Sequence, residues 1–176
     1  MYKFQIISHT KITQIIDTKR SITMILTDKE TIAIKGLQAQ EQSCVEKYKK
    51  YSKEAHDTEL RNLFDTIAKD EQKHHDSLSQ VLHGKVPPCN CNDTKGKEYA
   101  PTACYKANCN SSEKKEDCFL VTDCIGTEKM VSSEYNRDVF VFGNSDIRKL
   151  LADIEIEEQN HAEMLWKYKT VNGMTE

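Results

Sequence analysis

The sequence has few aromatic residues, few glycines and few prolines, and it contains no long apolar segment. Aromatic residues make up 7% of the 176 residues, with six glycines and three prolines. This composition, together with 30% charged residues, favours an all-α protein with exposed helices over a sandwich or a barrel. No run of 18 apolar residues occurs, so we expect no membrane span.

An excess of positive charge is also missing. The formal net charge is −3 at pH 7 and the isoelectric point is about 6.1. Proteins that bind nucleic acid usually carry a basic face, so we do not expect nucleic acid as a partner. The length of the chain is sufficient for one domain with a core of its own.

Cysteine is plentiful, but the Cys-x-x-Cys spacing of a rubredoxin or a zinc knuckle is missing. Residues 1–25 contain no continuous apolar run and no small-residue cleavage site, so we interpret them as a mobile extension rather than a signal peptide. An odd total of seven cysteines then argues against a closed disulfide framework. Five of them are crowded into one segment, where we expect unpaired or cross-linking thiols: Cys89, Cys91, Cys104, Cys109 and Cys118.

An internal repeat organises the chain. Residues 36–82 and 123–169 align without a gap at an offset of 87 residues, and the identities include Tyr48 with Tyr135 and Arg61 with Arg148. Apolar residues recur every three or four positions in both copies, which predicts a hairpin of two amphipathic helices in each. The turns are expected at 56–58 and 143–146, where Gly143 would end one helix and Ser145 or Asp146 would cap the next.

Two hairpins with apolar stripes on every helix can bury those stripes by forming a four-helix bundle. We predict an all-α domain at 26–174, with one hairpin at about 28–83, a crossover at 84–117 and a second hairpin at 118–170. A long crossover that runs the length of the bundle is the connection of ferritin-like topology, and here it would be rich in cysteine.

Six ionisable residues interrupt the apolar stripes. A buried carboxylate costs several kcal/mol unless it is compensated. At a rise of about 1.5 Å per residue, the two glutamates of each hairpin lie at the same height, roughly 21–24 Å from its turn. Each histidine follows the second glutamate by three residues and shares its face. The six candidate metal ligands are Glu41, Glu71, His74, Glu128, Glu158 and His161.

Two divalent ions would neutralise the four carboxylates. Glutamate from two helices and Glu-x-x-His from the other two is the ligand pattern of ferritin-like di-metal proteins. Oxygen ligands with two imidazoles suit iron or manganese, with zinc as a competitor. The alternative is a bundle without metal, in which the same groups pair through hydrogen bonds.

Tyr48 and Tyr135 each follow the first glutamate of their copy by seven residues, which is two helical turns. Two interpretations are open at this point. Each phenol either hydrogen-bonds a ligand carboxylate or serves as a core aromatic residue with its polar tip near solvent.

Several segments resemble a known family. They include Gln40-Glu41-Gln42-Ser43-Cys44, Asp70-Glu71-Gln72-Lys73-His74, Glu157-Glu158-Gln159-Asn160-His161 and Asn172-Gly173-Met174. From about Leu26 to Met174 the chain is similar to the ferritin-like spore coat proteins of the coat F (CotF) family. The resemblance implies a structural protein made in the mother cell cytoplasm and then placed in the spore coat. Its partners would be other coat proteins or a second copy in a homodimer, and its cysteines would form cross-links.

The ligand pattern also resembles that of rubrerythrins and bacterioferritins. This resemblance implies the alternative function, a di-iron or di-manganese oxidoreductase that acts on peroxide or oxygen. The chain departs from rubrerythrins in lacking the Cys-x-x-Cys pair that delivers electrons, and in having Val131 where they carry a further glutamate. A role like that of manganese catalase would need no such electron delivery.

Overall fold

Five α-helices form the described part of the chain, and no strand occurs there. The computed structural model describes residues 25–88, 94–106 and 108–175. The helices are α1 (Asp28–Glu54), α2 (Thr58–Leu82), α3 (Thr94–Glu98), α4 (Ser112–Asp138) and α5 (Ser145–Val171), with a 3-10 turn at Val139–Val141. The predicted all-α fold class is thereby confirmed.

A side-chain cap marks the start of each long helix. Thr27 and Glu30 form a capping box at α1, with the Thr27 hydroxyl accepting from the Glu30 amide and the Glu30 carboxylate accepting from the Thr27 amide. Asp57 caps α2 by accepting from the Glu59 amide, and Ser111 caps α4 by accepting from the Lys114 amide. These polar caps fix where the helices begin, because they satisfy amides that have no partner within the helix.

The second turn differs from the prediction in its capping residue. Asn144 caps α5, since its Oδ1 accepts from the amides of Asp146 at 2.8 Å and Ile147 at 3.2 Å. The expectation that Ser145 or Asp146 would be the cap is wrong. Gly143 does not take a left-handed conformation, which the described glycines show only at Gly84 and Gly173.

The start of the second hairpin was placed too late by the apolar pattern. Helix α4 begins at Ser112, within the predicted crossover of 84–117. Its first turns carry Lys114 and Asp117 on the buried side, with exposed fractions of 7% and 0%. Because these charged residues occupy positions where an apolar residue would signal the stripe, the hydrophobic period misses the first two turns.

The helix directions are those of a ferritin-like bundle. Helices α1 and α2 pack as one antiparallel hairpin, and α4 and α5 as the other. The start of α4 lies beside the start of α2, where Asp117 accepts from the backbone amides of His56 at 2.8 Å and Asp57 at 3.0 Å. Helices α2 and α4 therefore run in the same direction, and the crossover must return along the length of the bundle.

The crossover is fixed to α5 at two places. Near its beginning, the Gly96 amide donates to Asn160 Oδ1 at 2.9 Å. Near its end, Asn172 Oδ1 accepts from the amides of Cys104 at 2.9 Å and Tyr105 at 3.0 Å. Asn160 and Asn172 are 2% and 0% exposed, so these hydrogen bonds are made by buried side chains rather than at the surface.

The cysteines differ in their surroundings. Cys44 and Cys124 are buried in the core, as the stripes indicated. Cys104 is exposed, Cys109 and Cys118 are partly exposed, and no disulfide joins the cysteines of the described segments. Cys89 and Cys91 lie outside the described residues. Among the helices of residues 25–88, 94–106 and 108–175, none has the apolar stretch that a membrane span requires.

Candidate metal centre

All six predicted ligands meet in the middle of the bundle. Helices α1 and α4 each contribute one glutamate, and helices α2 and α5 each contribute a glutamate and a histidine. Each of these residues stands at a position of the buried stripe where an apolar residue would be expected. None is more than 2% exposed: Glu41, Glu71, His74, Glu128, Glu158 and His161. The structure thus brings together every residue that the sequence analysis proposed for the site.

The six side chains form two overlapping groups of four. Within each group, one atom from every residue lies within 4.8 Å of the others. The two groups are Glu41, Glu71, His74 and Glu158, and Glu71, Glu128, Glu158 and His161. Glu71 and Glu158 belong to both groups, so they are placed to be shared between two neighbouring ions.

Each histidine presents its Nδ1 atom to the carboxylates. His74 Nδ1 lies 3.0 Å from Glu158 Oε1, 3.4 Å from Glu71 Oε2 and 3.7 Å from Glu41 Oε2. In the other group, His161 Nδ1 lies 3.3 Å from Glu71 Oε1. The two rings are stacked with their centroids 5.9 Å apart. The arrangement therefore repeats across the hairpins, as the sequence repeat does.

Nine buried side-chain atoms of the cluster make no hydrogen bond to the described part of the chain. They are Glu41 Oε2, both oxygens of Glu71, His74 Nδ1, Glu128 Oε2, both oxygens of Glu158, and both nitrogens of His161. Buried polar atoms are almost always satisfied in folded proteins. Eight of the nine are the atoms that the two groups would offer to metal ions, so the donor set fits a pair of cations.

The two tyrosines hold the outermost glutamates from across the bundle. Tyr48 donates to Glu128 Oε1, and Tyr135 donates to Glu41 Oε1. Both tyrosines are fully buried. Of the two interpretations that the sequence left open, this geometry is the one in which the phenol hydrogen-bonds a candidate ligand. The partner is in the other hairpin, which sequence spacing did not indicate.

Two further carboxylates escaped the sequence analysis. Glu157 Oε2 lies 2.5 Å from His74 Nε2, and Asp70 Oδ2 lies 3.8 Å from His161 Nε2. A carboxylate hydrogen-bonded to the far nitrogen of a ligand histidine fixes the tautomer and the orientation of the ring, as Glu157 can do for His74. Asp70, at 3.8 Å, lies beside His161 but beyond hydrogen-bond distance. Asp70 and Glu157 occupy equivalent positions in the two repeats, directly before the shared glutamates. The sequence contained one indication of these partners, which is the acidic residue directly before Glu-x-x-His in both copies.

The four glutamates fall into two electrostatic classes. Burial and repulsion from the shared glutamates raise the pKa of Glu41 and that of Glu128 well above the ordinary value of 4.5. Burial also acts to raise the pKa of Glu71 and Glu158, but their contacts with both histidines outweigh it and lower the pKa. The surroundings therefore favour the ionised form at Glu71 and Glu158 more than at Glu41 and Glu128.

The surroundings of the two histidines favour the charged form of each ring. Burial alone would lower the pKa of His74 and His161, but the surrounding carboxylates raise it well above 6.5. Protons on these imidazoles, and on Glu41 and Glu128, would compete with metal ions for the same atoms. Two divalent ions could replace these protons, because metal ligands must be deprotonated to bind.

Comparison with known proteins adds one finding. The family model for rubrerythrin matches residues 6–82. Over that range the chain is similar to rubrerythrins. The matched segment contains Glu41, Glu71 and His74, which is half of the candidate ligand set. The second hairpin supplies the other half through the repeat. No curated protein and no solved structure gives a significant match.

The similarity to rubrerythrins agrees with the all-α bundle and with the carboxylate and histidine cluster inside it. Rubrerythrins are ferritin-like di-iron proteins, and the same helical architecture is found here. Val131, which stands where rubrerythrins carry a further glutamate, is fully buried on α4 one turn after Glu128. The cluster therefore has six candidate ligands and no further glutamate at that position.

Proposed function

We propose that this protein holds two divalent ions, iron or manganese, between its two hairpins, and that it uses them to act on peroxide or oxygen. The observation that supports this proposal is the set of buried, unpartnered donor atoms of four glutamates and two histidines. Burial of ionised carboxylates costs several kcal/mol for each charge unless cations compensate it, and bound metal ions would supply that compensation.

The donor set supports the choice of metal. Each group offers three carboxylate oxygens and one imidazole nitrogen. Four carboxylates and two divalent ions make a neutral site, which is the condition for burying charge at low cost. Oxygen ligands with imidazole are suited to iron and manganese, and zinc competes for such sites because its intrinsic affinity is higher.

The residues around the ligands would keep the site fixed and dry. Tyr48 and Tyr135 engage one oxygen of Glu128 and Glu41, so the other oxygen of each remains for an ion. Glu157 holds the far nitrogen of His74 and thereby directs Nδ1 inward. Bound iron or manganese would supply the redox chemistry for peroxide or oxygen.

A peroxide assay tests the redox part of the proposal. Protein loaded with iron or manganese is expected to consume hydrogen peroxide, and Glu71→Ala should abolish this because it removes a ligand from both groups. Asp65→Ala, at an exposed position on the same helix, should leave turnover unchanged. Metal-loaded wild-type protein that consumes neither peroxide nor oxygen would rule out the redox role.

A second candidate is a structural role in the spore coat, with the metal pair stabilising the bundle. It is favoured by the resemblance to the coat F family and by the free thiols of Cys104, Cys109 and Cys118 near the crossover. The protein would then be made in the mother cell and cross-linked to other coat proteins. It should fractionate with purified spores and resist extraction until thiols are reduced. Extraction without reductant would contradict the cross-linking.

A further inference from the structure

A lysine of the crossover reaches the carboxylates behind both histidines. Lys95 Nζ lies 2.8 Å from Asp70 Oδ2 and 3.9 Å from Glu157 Oε1. Asp70 faces His161 and Glu157 contacts His74. Among the described residues, Lys95 is the cation that contacts both carboxylates. One ammonium group thus connects the outer partners of the two halves of the cluster.

The backbone around Lys95 is held tightly on α5. Lys167 Nζ donates to the carbonyl of Gly96 at 2.5 Å and to that of Lys97 at 3.0 Å, while the Gly96 amide donates to Asn160. A Cβ atom at Gly96 would come within 2.6 Å of Glu163 Oε2, so the crossover approaches α5 as closely as glycine allows. These contacts place Lys95 above the turn of α5 that carries His161.

The charges explain what the ammonium does there. Asp70 and Glu157 are two anions directed at one end of the cluster, and Asp70 is only 4% exposed. Lys73 also pairs with Asp70, through the other oxygen at 2.7 Å, but its side chain is 70% exposed and it contacts one carboxylate of the two. Lys95 contacts both anions and so offsets their mutual repulsion, whereas Lys73 contacts Asp70 alone and His74 contacts Glu157 alone.

We propose that Lys95 is a positioning residue, which holds Glu157 on the His74 imidazole and Asp70 beside the His161 imidazole, and thereby couples docking of the crossover to metal binding. This proposal rests on the proposed function, since it presupposes that the cluster binds metal. By reciprocity, a bound metal should in turn hold the crossover more firmly on α5.

Manganese(II) titration against a chelating dye tests the clamp in the full-length protein. Lys95→Met should weaken manganese binding by about tenfold, the lower end of the effect for residues behind a ligand. Lys95→Arg should recover most of the affinity, because it keeps the charge. Lys97→Met removes a charge from an exposed position on the same short helix and should match the wild type.

Hydrogen exchange of the crossover tests the coupling directly, because a lysine with only a packing role would not make exchange depend on bound metal. Residues 94–98 should exchange more slowly in manganese-loaded wild-type protein than in the apo protein, and this difference should vanish in Lys95→Met. Circular dichroism of each variant verifies that the bundle is intact.

The outcomes separate the two proposals. Wild-type protein that binds neither manganese(II) nor iron(II), offered in separate titrations, overturns both the proposed function and the clamp. Wild-type protein that binds manganese with the same affinity as Lys95→Met overturns the clamp alone. An affinity loss in Lys95→Met that Lys95→Arg does not rescue also overturns it, because the charge would then not be the cause.

Discussion

The hydroxyl of Tyr48 donates a hydrogen bond to Oε1 of Glu128, on the opposite hairpin, and leaves Oε2 of that glutamate directed into the cluster. Tyr135 does the same for Glu41. The two contacts cross between the hairpins in opposite senses, so each hairpin orients one glutamate of the other. The site is therefore completed only when the two repeats pack together.

Removal of one phenol should loosen one half of the site. Tyr48→Phe leaves the ring in the core but removes the hydrogen bond to Glu128 Oε1. Glu128 belongs to the group that contains His161, so we expect affinity for the ion in that group to fall by about tenfold. Stepwise titration with manganese measures this. Tyr135→Phe is the mirror variant and should give an effect of similar size at the other position. Unchanged affinity in both variants would show that the phenols serve only as core residues.

Shared and unshared glutamates should behave differently. Glu71 belongs to both groups of candidate ligands, whereas Glu41 belongs to one. Glu71→Gln should therefore lose both ions, while Glu41→Gln should retain about one of the two ions expected for such a site. Elemental analysis of the dialysed variants gives the count. Equal losses in the two variants would argue that the ions do not share Glu71.

Metal affinity should rise with pH. The pKa values of His74 and His161 lie well above 6.5, and those of Glu41 and Glu128 lie well above 4.5, so these groups hold protons that a metal must displace. Each released proton strengthens apparent binding by about tenfold per pH unit until the raised pKa is passed. Manganese affinity at pH 6.5 should thus be weaker than at pH 7.5. Calorimetry in buffers of different ionisation enthalpy counts the protons, and affinity independent of pH would contradict the account.

Two glycines should respond to alanine in opposite ways. Gly36 lies inside α1 with nothing within 4 Å of an added Cβ. Gly36→Ala should raise the free energy of unfolding by about 0.5–1 kcal/mol, since alanine favours the helix. Gly96→Ala should displace Asn160 Oδ1, which lies 2.7 Å from the new atom and accepts from the Gly96 amide. Thermal melting and hydrogen exchange of 94–98 measure the two effects, and a Gly96→Ala variant with unchanged exchange would contradict the tight docking.

The repeat made most of the fold predictable from sequence. Matching positions at a fixed offset revealed the two hairpins and all six clustered residues, because a charged residue in an apolar stripe is conspicuous. That these residues bind metal stays a prediction. The topology could also be inferred, since a crossover of this length allows α2 and α4 to run in the same direction.

The remaining features depend on contacts that leave no period in the sequence. Asp117 is fully buried because it accepts from backbone amides in the turn between α1 and α2. A buried aspartate interrupts the apolar pattern, so the pattern does not indicate where α4 begins. Asp70 and Glu157 precede the shared glutamates, at a position that a helical wheel places off the stripe. Lys95 belongs to an irregular segment whose docking depends on Gly96 and Asn160 rather than on a pattern.

The central claim is that the cluster binds a pair of metal ions. The most direct measurement is native mass spectrometry of the apo protein after iron(II) and manganese(II) have each been offered. The account predicts about two ions per chain, the number held by ferritin-like di-metal sites, and none in a Glu71→Gln/Glu158→Gln variant. A wild-type protein that remains free of both metals would contradict it.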